Sequence, residues 1–463
     1  MPTTPPCSHL SNPTALLLIL QFAATFLCHH PAIAGELGSL IQLPLQGGDG
    51  VDDYGESDDS RLGHRRIISV KDYGAVGNGF IDDTKAFKNA WYAACSSTSH
   101  KTVLKVPENH QYLVRPIRFT GPCSSNVSLR ILGSILAPRN PFVWRKKNPQ
   151  RWLYFYGINH LTLRGRGIGI INGMRKKWSA KSCKNQSVNL CRPSPVAVTF
   201  HRCRHLKVRN MTLLNGPSSH IVFTDCYHVK VSGLKVIAPA ASTNTEGIQI
   251  SGSHAVHVQN SEIATGDNCI SVASGSSKVR IRNISCGPGH GISIGSLGEA
   301  NSWAKVTDVR VDGAILSNTK SGLWIKTWQG GQGFASDILF QNVMMENVAN
   351  PIIIDQFYCD NLEPCKNQTA AVKVNSVSFM NIRGTSATEH AVIFSCSNTV
   401  PCHNILLQDV QLTWASGGNA TSRCWKASGF SYGQVEPPSC LMTEDFPIMQ
   451  KVHSITALLF SAR

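Results

Sequence analysis

Three five-residue segments repeat one pattern at an interval of 22 positions: Glu246-Gly247-Ile248-Gln249-Ile250, Asn268-Cys269-Ile270-Ser271-Val272 and His290-Gly291-Ile292-Ser293-Ile294. Each segment has a polar residue, a small residue and then an alternating apolar stretch. A fourth copy, Ser321-Gly322-Leu323-Trp324-Ile325, follows after a longer gap and leads into Lys326. Asp267 comes directly before the second copy. Polar and ionisable groups that return at one interval predict a functional site built on a structural repeat.

Short β-rich segments also recur along most of the chain, separated by Asn, Gly and Ser turns. They read HLTL (160–163), HLKV (205–208), HVKV (228–231), AVHV (255–258), KVRI (278–281), DVRV (308–311), DILF (337–340), SVSF (376–379) and NILL (404–407). Their central steps of 23 to 30 residues are typical of a solenoid. A sandwich would favour hairpins every 8–12 residues or so, and a propeller would favour blades of about 40. We therefore predict an all-β fold, a parallel β-helix.

In a β-helix, residues that are 22 positions apart can become neighbours on successive coils. Successive coils of a β-helix lie about 4.8 Å apart, so Glu246, Asn268 and His290 should form one column with Asp267 beside it. Strict alternation from the core-facing isoleucines would point all three side chains inward, and burying unpaired polar groups is costly. We therefore expect a bend at Gly247, Cys269 and Gly291.

The chain is expected to have three parts. Residues 1–34 contain a short apolar run (15–27) and a small-x-small pattern at Ala32-Ile33-Ala34, which predict a cleaved secretory signal; the alternative is a buried N-terminal helix. Residues 35–66 are acidic and rich in Gly, which is typical of a linker or propiece. Residues 67–463 form the β-helix domain. A helix over about residues 83–94, with Asp83 or Thr84 as N-cap, should close its open end.

Cysteine use and glycosylation motifs agree with secretion. Sixteen cysteines are present, and removal of residues 1–34 leaves an even fourteen, as expected in an oxidising compartment. Close pairs in the sequence are Cys183/Cys191, Cys359/Cys365, Cys396/Cys402 and Cys424/Cys440. Zinc is the rival interpretation, but no CxxC pair occurs, so we expect no metal and no cofactor. Asn-x-Ser/Thr motifs occur at Asn126, Asn185, Asn210, Asn283, Asn367 and Asn419.

The charge indicates an acidic partner. The net charge is +16, and residues 1–34 contain no Lys, Arg, Asp or Glu, so the mature chain keeps it. A secreted basic protein is expected to meet an acidic polysaccharide rather than nucleic acid, and no membrane after signal cleavage. Solubility alone is the alternative explanation of the charge.

Several motifs, in order, closely resemble the plant polygalacturonases, a family of glycoside hydrolases. They are Asp72-Tyr73-Gly74-Ala75-Val76-Gly77, Asn244-Thr245-Glu246-Gly247, Gly266-Asp267-Asn268, Cys286-Gly287-Pro288-Gly289-His290-Gly291 and Ile325-Lys326. The resemblance covers about residues 67–440. It implies a right-handed parallel β-helix and inverting hydrolysis of the α-1,4-galacturonan backbone of pectin in the plant cell wall. We expect a monomer.

The resemblance also assigns roles to the repeated residues. Asp267 matches the general acid that protonates the leaving glycosidic oxygen. The two partner carboxylates that activate water fall at Glu246 and Asn268. His290 matches a histidine that hydrogen-bonds within the shell of the acid.

Two further positions match substrate-binding residues of the family. Lys326 matches a lysine that binds a galacturonate carboxylate, and Tyr358 matches a tyrosine of the substrate subsite. Trp324 stands where the family has Arg, which removes a bidentate carboxylate clamp but leaves an aromatic face that can stack on a sugar.

Two departures affect the acid–base set, because the family has Asp at positions 246 and 268. The extra methylene of Glu246 shifts its carboxylate by about a bond length, and Asn268 can neither take a proton nor carry charge. Three hypotheses stay open. The first is a pectin glycosidase, slowed or shifted toward methylesterified galacturonan. The second is an inactive pectin-binding wall protein. A calcium-dependent lyase is weaker, since few carboxylates remain to hold calcium.

Overall fold

The fold is known from a computed structural model, which describes residues 65–140, 143–144, 151–174, 194–360 and 365–443. The chain divides into two units, Met1–Leu62 and Gly63–Arg463, and every described residue lies in the second. The predicted signal, most of the predicted linker and the Cys183/Cys191 pair lie outside the described residues. The first strand begins at Arg65, two residues before the expected start of the folded domain.

Two parallel sheets run the length of the domain. The first contains β1 (Arg65–Ser69), β2 (Asn78–Asp82), β3 (Lys101–Val106), β4 (Gln111–Leu113), β6 (Asn126–Ile131), β7 (Ser134–Leu136), β9 (Thr162–Arg164), β10 (Ile170–Asn172), β12 (Arg204–Leu214), β14 (Tyr227–Ile237), β16 (His254–Ala264), β18 (Ser276–Cys286), β20 (Trp303–Ser317), β22 (Gln332–Val348), β24 (Lys373–Ser386), β26 (Cys402–Trp414), β28 (Ala427–Glu436) and β29 (Met442–Thr443). The second contains β5 (Ile117–Thr120), β8 (Arg151–Tyr156), β11 (Val196–His201), β13 (Ile221–Thr224), β15 (Ile248–Ser251), β17 (Ile270–Val272), β19 (Ile292–Leu297), β21 (Leu323–Trp328), β23 (Ile352–Tyr358), β25 (His390–Ser395) and β27 (Thr421–Trp425).

Strands of the two sheets alternate along the chain through the central coils, and each pairs in parallel with the strand one coil away. In the second sheet the order is β5, β8, β11, β13, β15, β17, β19, β21, β23, β25, β27, so neighbours in space are also consecutive coils. This arrangement is a right-handed parallel β-helix, which confirms the predicted fold. The short 3-10 helices Val70–Tyr73 and Glu299–Asn301 lie outside the sheets.

The core consists of inward-facing side chains stacked coil on coil. Phe119, Phe155, Phe200 and Phe223 form one such stack, with ring centroids 4.7, 5.0 and 5.4 Å apart. Each of these rings is at most 2% exposed. Burying one such side chain contributes about 1.5–3 kcal/mol, so stacking stabilises each coil through its neighbours.

The single α-helix of the described residues, α1 (Thr84–Cys95), packs against the N-terminal coils. Its apolar face contacts the core through Phe87 on Tyr112 and Trp91 on Phe119. The N-cap is Asp83, one of the two predicted positions, but its side chain makes no capping bond. The Asp83 carboxylate instead accepts hydrogen bonds from the backbone N–H groups of the entry turn, residues 76 and 77, at 2.6 and 3.1 Å.

Five disulfides link described residues. Three were close pairs in the sequence, namely Cys359–Cys365, Cys396–Cys402 and Cys424–Cys440. Two were not singled out from the sequence: Cys95–Cys123 ties α1 to the loop after β5, and Cys269–Cys286 lies beside the repeated column. Cys203 and Cys226 are buried and carry free thiols.

In the part of the chain that the structure describes, no helix has the length and apolarity needed to cross a membrane.

Candidate active site

The repeated segments stack in register, as the 22-residue interval predicts. Ile248 pairs with Ile270, Ile270 with Ile292, and Ile292 with Leu323 of the fourth copy. Glu246, Asn268 and His290 therefore occupy equivalent places on three successive coils. All three lie two residues before the first residue of a strand.

The expected break in alternation occurs at the small residues of the pattern. Gly247 and Cys269 lie in bends, and Gly291 has a left-handed φ of +72°. A Cβ at Gly291 would lie 2.2 Å from the carbonyl oxygens of residues 321 and 322. A Cβ at Gly247 would lie 2.5 Å from the Cys269 carbonyl oxygen. The coils approach so closely here that only glycine fits at these two positions.

Asn268 bridges the two carboxylates of the column. Its Nδ2 donates hydrogen bonds to Glu246 Oε1 at 3.2 Å and to Asp267 Oδ1 at 3.1 Å. Its backbone N–H also donates to Asp267 Oδ1, at 2.8 Å. The Asn268 side chain is 2% exposed, so one buried amide holds both acids. The two carboxylate oxygens that it contacts are closer together than the roughly 6.5–9.5 Å that separates the carboxyl groups of most inverting glycosidases.

His290 is joined to Asp267 twice. Its Nδ1 lies 3.2 Å from Asp267 Oδ1, and its backbone N–H donates to the Asp267 carbonyl oxygen at 3.0 Å. Its Nε2 is buried and has no hydrogen-bond partner among the described residues. One ring nitrogen of His290 therefore holds Asp267, and the other is a buried polar atom without a partner among these residues.

The two carboxyl groups have opposite pKa shifts. Burial raises the pKa of Glu246, and the negative charge of Asp267 adds to it; the Asn268 amide and the positive charge of Lys326 oppose the rise. Burial alone would raise the pKa of Asp267. However, the His290 hydrogen bond, the Asn268 N–H and the charges of His290 and Lys326 together lower it. The environment therefore stabilises the charged form of Asp267 and disfavours the charged form of Glu246.

Lys326 lies in a pocket of aromatic rings beside the column. Its Nζ is 4.5 Å from the Trp324 ring centroid and 5.0 Å from that of Tyr358, and the residue is 7% exposed. Both rings therefore make cation–π contacts with the ammonium group. Trp328 also packs edge-on against Tyr358, at 5.3 Å. Burial first, and the charge of Asp360 next, raise the pKa of Tyr358 to about 12, so its hydroxyl stays protonated.

All seven sequence-predicted positions thus lie together: Glu246, Asp267, Asn268 and His290 in the column, and Trp324, Lys326 and Tyr358 beside it. Sequence reasoning missed two positions in the preceding coil. Ser219 Oγ donates to Glu246 Oε2 at 3.3 Å, and His220 Nδ1 donates to the Glu246 carbonyl oxygen at 3.0 Å. The signal was present, because Ser219-His220-Ile221 repeats the polar–x–Ile pattern 27 residues before Glu246.

The comparisons with known proteins agree with this geometry. The model of glycosyl hydrolases family 28 matches residues 95–434. The chain belongs to this family. A probable polygalacturonase of Arabidopsis thaliana is 48% identical over 95% of this chain and 96% of its own length. The polygalacturonase of Persea americana is 49% identical over 77% of this chain and 76% of its own.

Solved structures of other organisms share the β-helix of this family 28 chain. An endo-xylogalacturonan hydrolase from Aspergillus tubingensis aligns with a TM-score of 0.68 at 20% identity, over 80% of this chain and 99% of its own. A polygalacturonase from Erwinia carotovora aligns with a TM-score of 0.63 at 19% identity, over 84% and 100%. At about 20% sequence identity, this likeness concerns the fold.

No cluster of three or more potential metal ligands occurs in the part of this family 28 chain that the structure describes.

Proposed function

We propose that this chain is a secreted, monomeric polygalacturonase of the plant cell wall that hydrolyses the α-1,4-galacturonan backbone of pectin. The observation that supports it most is the bridged pair Glu246–Asp267, with Lys326 two coils beyond Asp267. The curated relatives are named polygalacturonases. The net charge of +16 suits an acidic polymer.

In the proposed reaction Asp267 donates a proton to the leaving oxygen, and Glu246 accepts one from the attacking water. Asn268 orients both carboxylates and takes no proton. His290 holds Asp267 by its Nδ1 contact, while Lys326 attracts a galacturonate carboxylate. Substrate binding must raise the pKa of Asp267, since the acid has to be protonated when the bond breaks. A galacturonate carboxylate near Asp267 and the exclusion of water both act in that direction.

The aromatic surroundings of Lys326 support a preference for partly methylesterified pectin. Trp324 offers a ring face where a second cation would otherwise bind a carboxylate, so the subsite has less positive charge. A methyl ester is neutral and apolar, and it fits such a surface better than a carboxylate does.

The test is release of reducing ends by the full secreted chain from polygalacturonate and from methylesterified pectin, with Asp267→Asn as the control. We expect release from both, and more from the esterified polymer. No release above the control on either polymer would refute hydrolysis.

A second experiment tests inversion by following with NMR which anomer forms first. Cutting an α-linkage with inversion first releases a β reducing end. Retention would instead agree with the short spacing of the bridged oxygens.

An inactive pectin-binding wall protein is the second candidate, and the lowered pKa of Asp267 favours it. An acid held in its ionised form by His290 and Asn268 is a poor proton donor. This candidate predicts salt-sensitive retention on immobilised pectin without any reducing ends. In the reducing-end assay, the triple variant Glu246→Asp, Asn268→Asp, Trp324→Arg should gain activity on unesterified polygalacturonate if these three departures from the family pattern are what limits the chain.

A further inference from the structure

A second group of cations lies on the sheet that carries the active site. We name it the arginine–tyrosine patch, and it comprises Arg118, Arg151, Tyr154, Tyr156 and Arg202. The Arg118 guanidinium lies 4.4 Å from the Tyr156 ring centroid and 5.3 Å from that of Tyr154. Arg151 lies 4.5 Å from the Tyr154 ring, and Arg202 Nη1 is 3.5 Å from the Tyr156 hydroxyl. Each of the five residues is partly or fully exposed.

The stacking leaves the arginines able to bind anions. A guanidinium that lies over a ring uses its planar face, and its N–H donors point outward in the plane. These donors match a carboxylate in a bidentate manner. Among the described residues, no salt bridge joins Arg118, Arg151 or Arg202 to an acidic side chain.

An acid that is linked to the patch through His201 is already engaged. Asp225 Oδ2 lies 3.3 Å from His201 Nε2, and the other ring nitrogen, Nδ1, accepts from the Tyr154 hydroxyl at 2.7 Å. Burial first, and the charge of Arg151 next, lower the pKa of His201, although Asp225 opposes this. A neutral His201 that donates to Asp225 fits both contacts, and it fixes the Tyr154 ring under the two arginines.

Strand register places the patch on the same face of the second sheet as the active site. Trp324 pairs with Ser293, Ser293 with Ser271, and the same column continues through residues 249, 222 and 199 to Tyr154 and Arg118. Tyr154 is four coils from Ser271, whose coil carries Asp267. At about 4.8 Å per coil, the patch is separated from the coil of the acid by roughly 19 Å along the stacking direction. Lys326 is on the opposite side of Asp267, two coils away.

We propose that the arginine–tyrosine patch is a distal binding site for the carboxylates of a linear acidic polysaccharide whose chain also passes over Asp267. The inference rests on the proposed function for the identity of the polymer. Neighbouring guanidinium forks suit the carboxylates that recur along such a polymer. A polymer held by the patch on one side and by Lys326 on the other is bound at two separated points, so affinity should grow with its length.

The test measures binding of galacturonate oligomers of graded length by calorimetry, in the Asp267→Asn full chain so that none is cut. In that background, Arg118→Ala/Arg151→Ala should weaken binding of long oligomers by about ten- to a hundredfold at low salt. It should leave short oligomers, which occupy only the active site, unchanged. Arg118→Lys should give a smaller loss, since it keeps the charge but not the fork.

The matched control removes the same charge elsewhere. Lys207 and Lys230 are exposed, pair in register on the first sheet and belong to neither site. Lys207→Ala/Lys230→Ala should not change binding of long oligomers. Equal losses for short and long oligomers, no loss for long ones, or an equal loss in the lysine control would each overturn the proposal. If the wild-type chain binds in this length-dependent way but releases no reducing ends, the proposed hydrolysis fails and the distal site stands.

Discussion

Two columns of stacked residues run along the same coils, and they repeat different properties. The site column carries Ser219, Glu246, Asn268 and His290, four different side chains at equivalent places. A second column lies in the bend within the long strands of the first sheet and repeats one backbone conformation. Its residues are Asn210, Gly233, Asn260, Asn283, Gly313, Asn342, Asn381, Asp409 and Gly433, all with φ between +49° and +71°.

The side chains of this left-handed column bond along it. Asn381 Nδ2 donates to Asn342 Oδ1 at 2.7 Å, and Asn283 Nδ2 donates to Asn260 Oδ1 at 3.2 Å. Asn and Gly tolerate the left-handed region that other residues avoid, so this column repeats a backbone requirement. The site column instead repeats a position and varies the chemistry. In this protein the column restricted to Asn, Asp and Gly meets a backbone requirement, whereas the column whose side-chain chemistry varies forms the candidate site.

Among the substitutions that test the difference between the two columns, Glu246→Gln should have the largest effect, a loss of kcat. Removing a general base lowers kcat by about 10²–10⁴-fold, since the amide cannot accept the proton of water. The rate of reducing-end release at saturating substrate measures it. Asn342→Gly, in the left-handed column, should leave kcat unchanged. Equal activity of the Glu246 variant and the wild-type chain would mean that another group activates the water.

Asn342→Ala should have an intermediate effect, on stability alone. The alanine must adopt a φ of +55° and loses the bonds to Asp312 and Asn381. The left-handed backbone costs about 1–2 kcal/mol and each lost hydrogen bond about 1 kcal/mol. Chemical denaturation measures the fall in the free energy of unfolding. Asn342→Gly loses the same bonds without the backbone strain and should be less destabilised; the reverse order would refute the conformational argument.

Asn268→Asp should give the smallest change, a shift of the pH profile. Asp267 must carry a proton to act as an acid, so activity falls as pH rises above its lowered pKa. An aspartate at position 268 removes the Nδ2 donor and adds a negative charge, and both raise the pKa of Asp267. The falling limb of kcat/KM against pH should therefore move to higher pH. A limb that stays in place, or moves lower, would show that Asp267 does not control it.

Regular spacing made much of this protein predictable. The isoleucines of the repeat gave the coil length, and stacking at that length brought Glu246, Asn268 and His290 together as expected. The end helix and its N-cap position were also predictable, because a cap and an amphipathic face are local properties. The side chain of Asp83 was not, since it bonds to a turn that reaches it only after folding.

The sequence by itself determined the β-helix, the site column and the resemblance that assigns roles to the residues of that column. All three follow from residue types that recur at near-constant intervals. Only the tertiary structure decided how those groups interact. The orientation of the Asn268 amide, the aromatic pocket of Lys326 and the opposite pKa shifts of Glu246 and Asp267 depend on distances of a few ångströms between coils. The arginine–tyrosine patch also needed the structure, because the first coils differ in length. Arg118, Tyr154 and Thr199 stand 36 and 45 residues apart in the chain yet are direct neighbours across parallel strands.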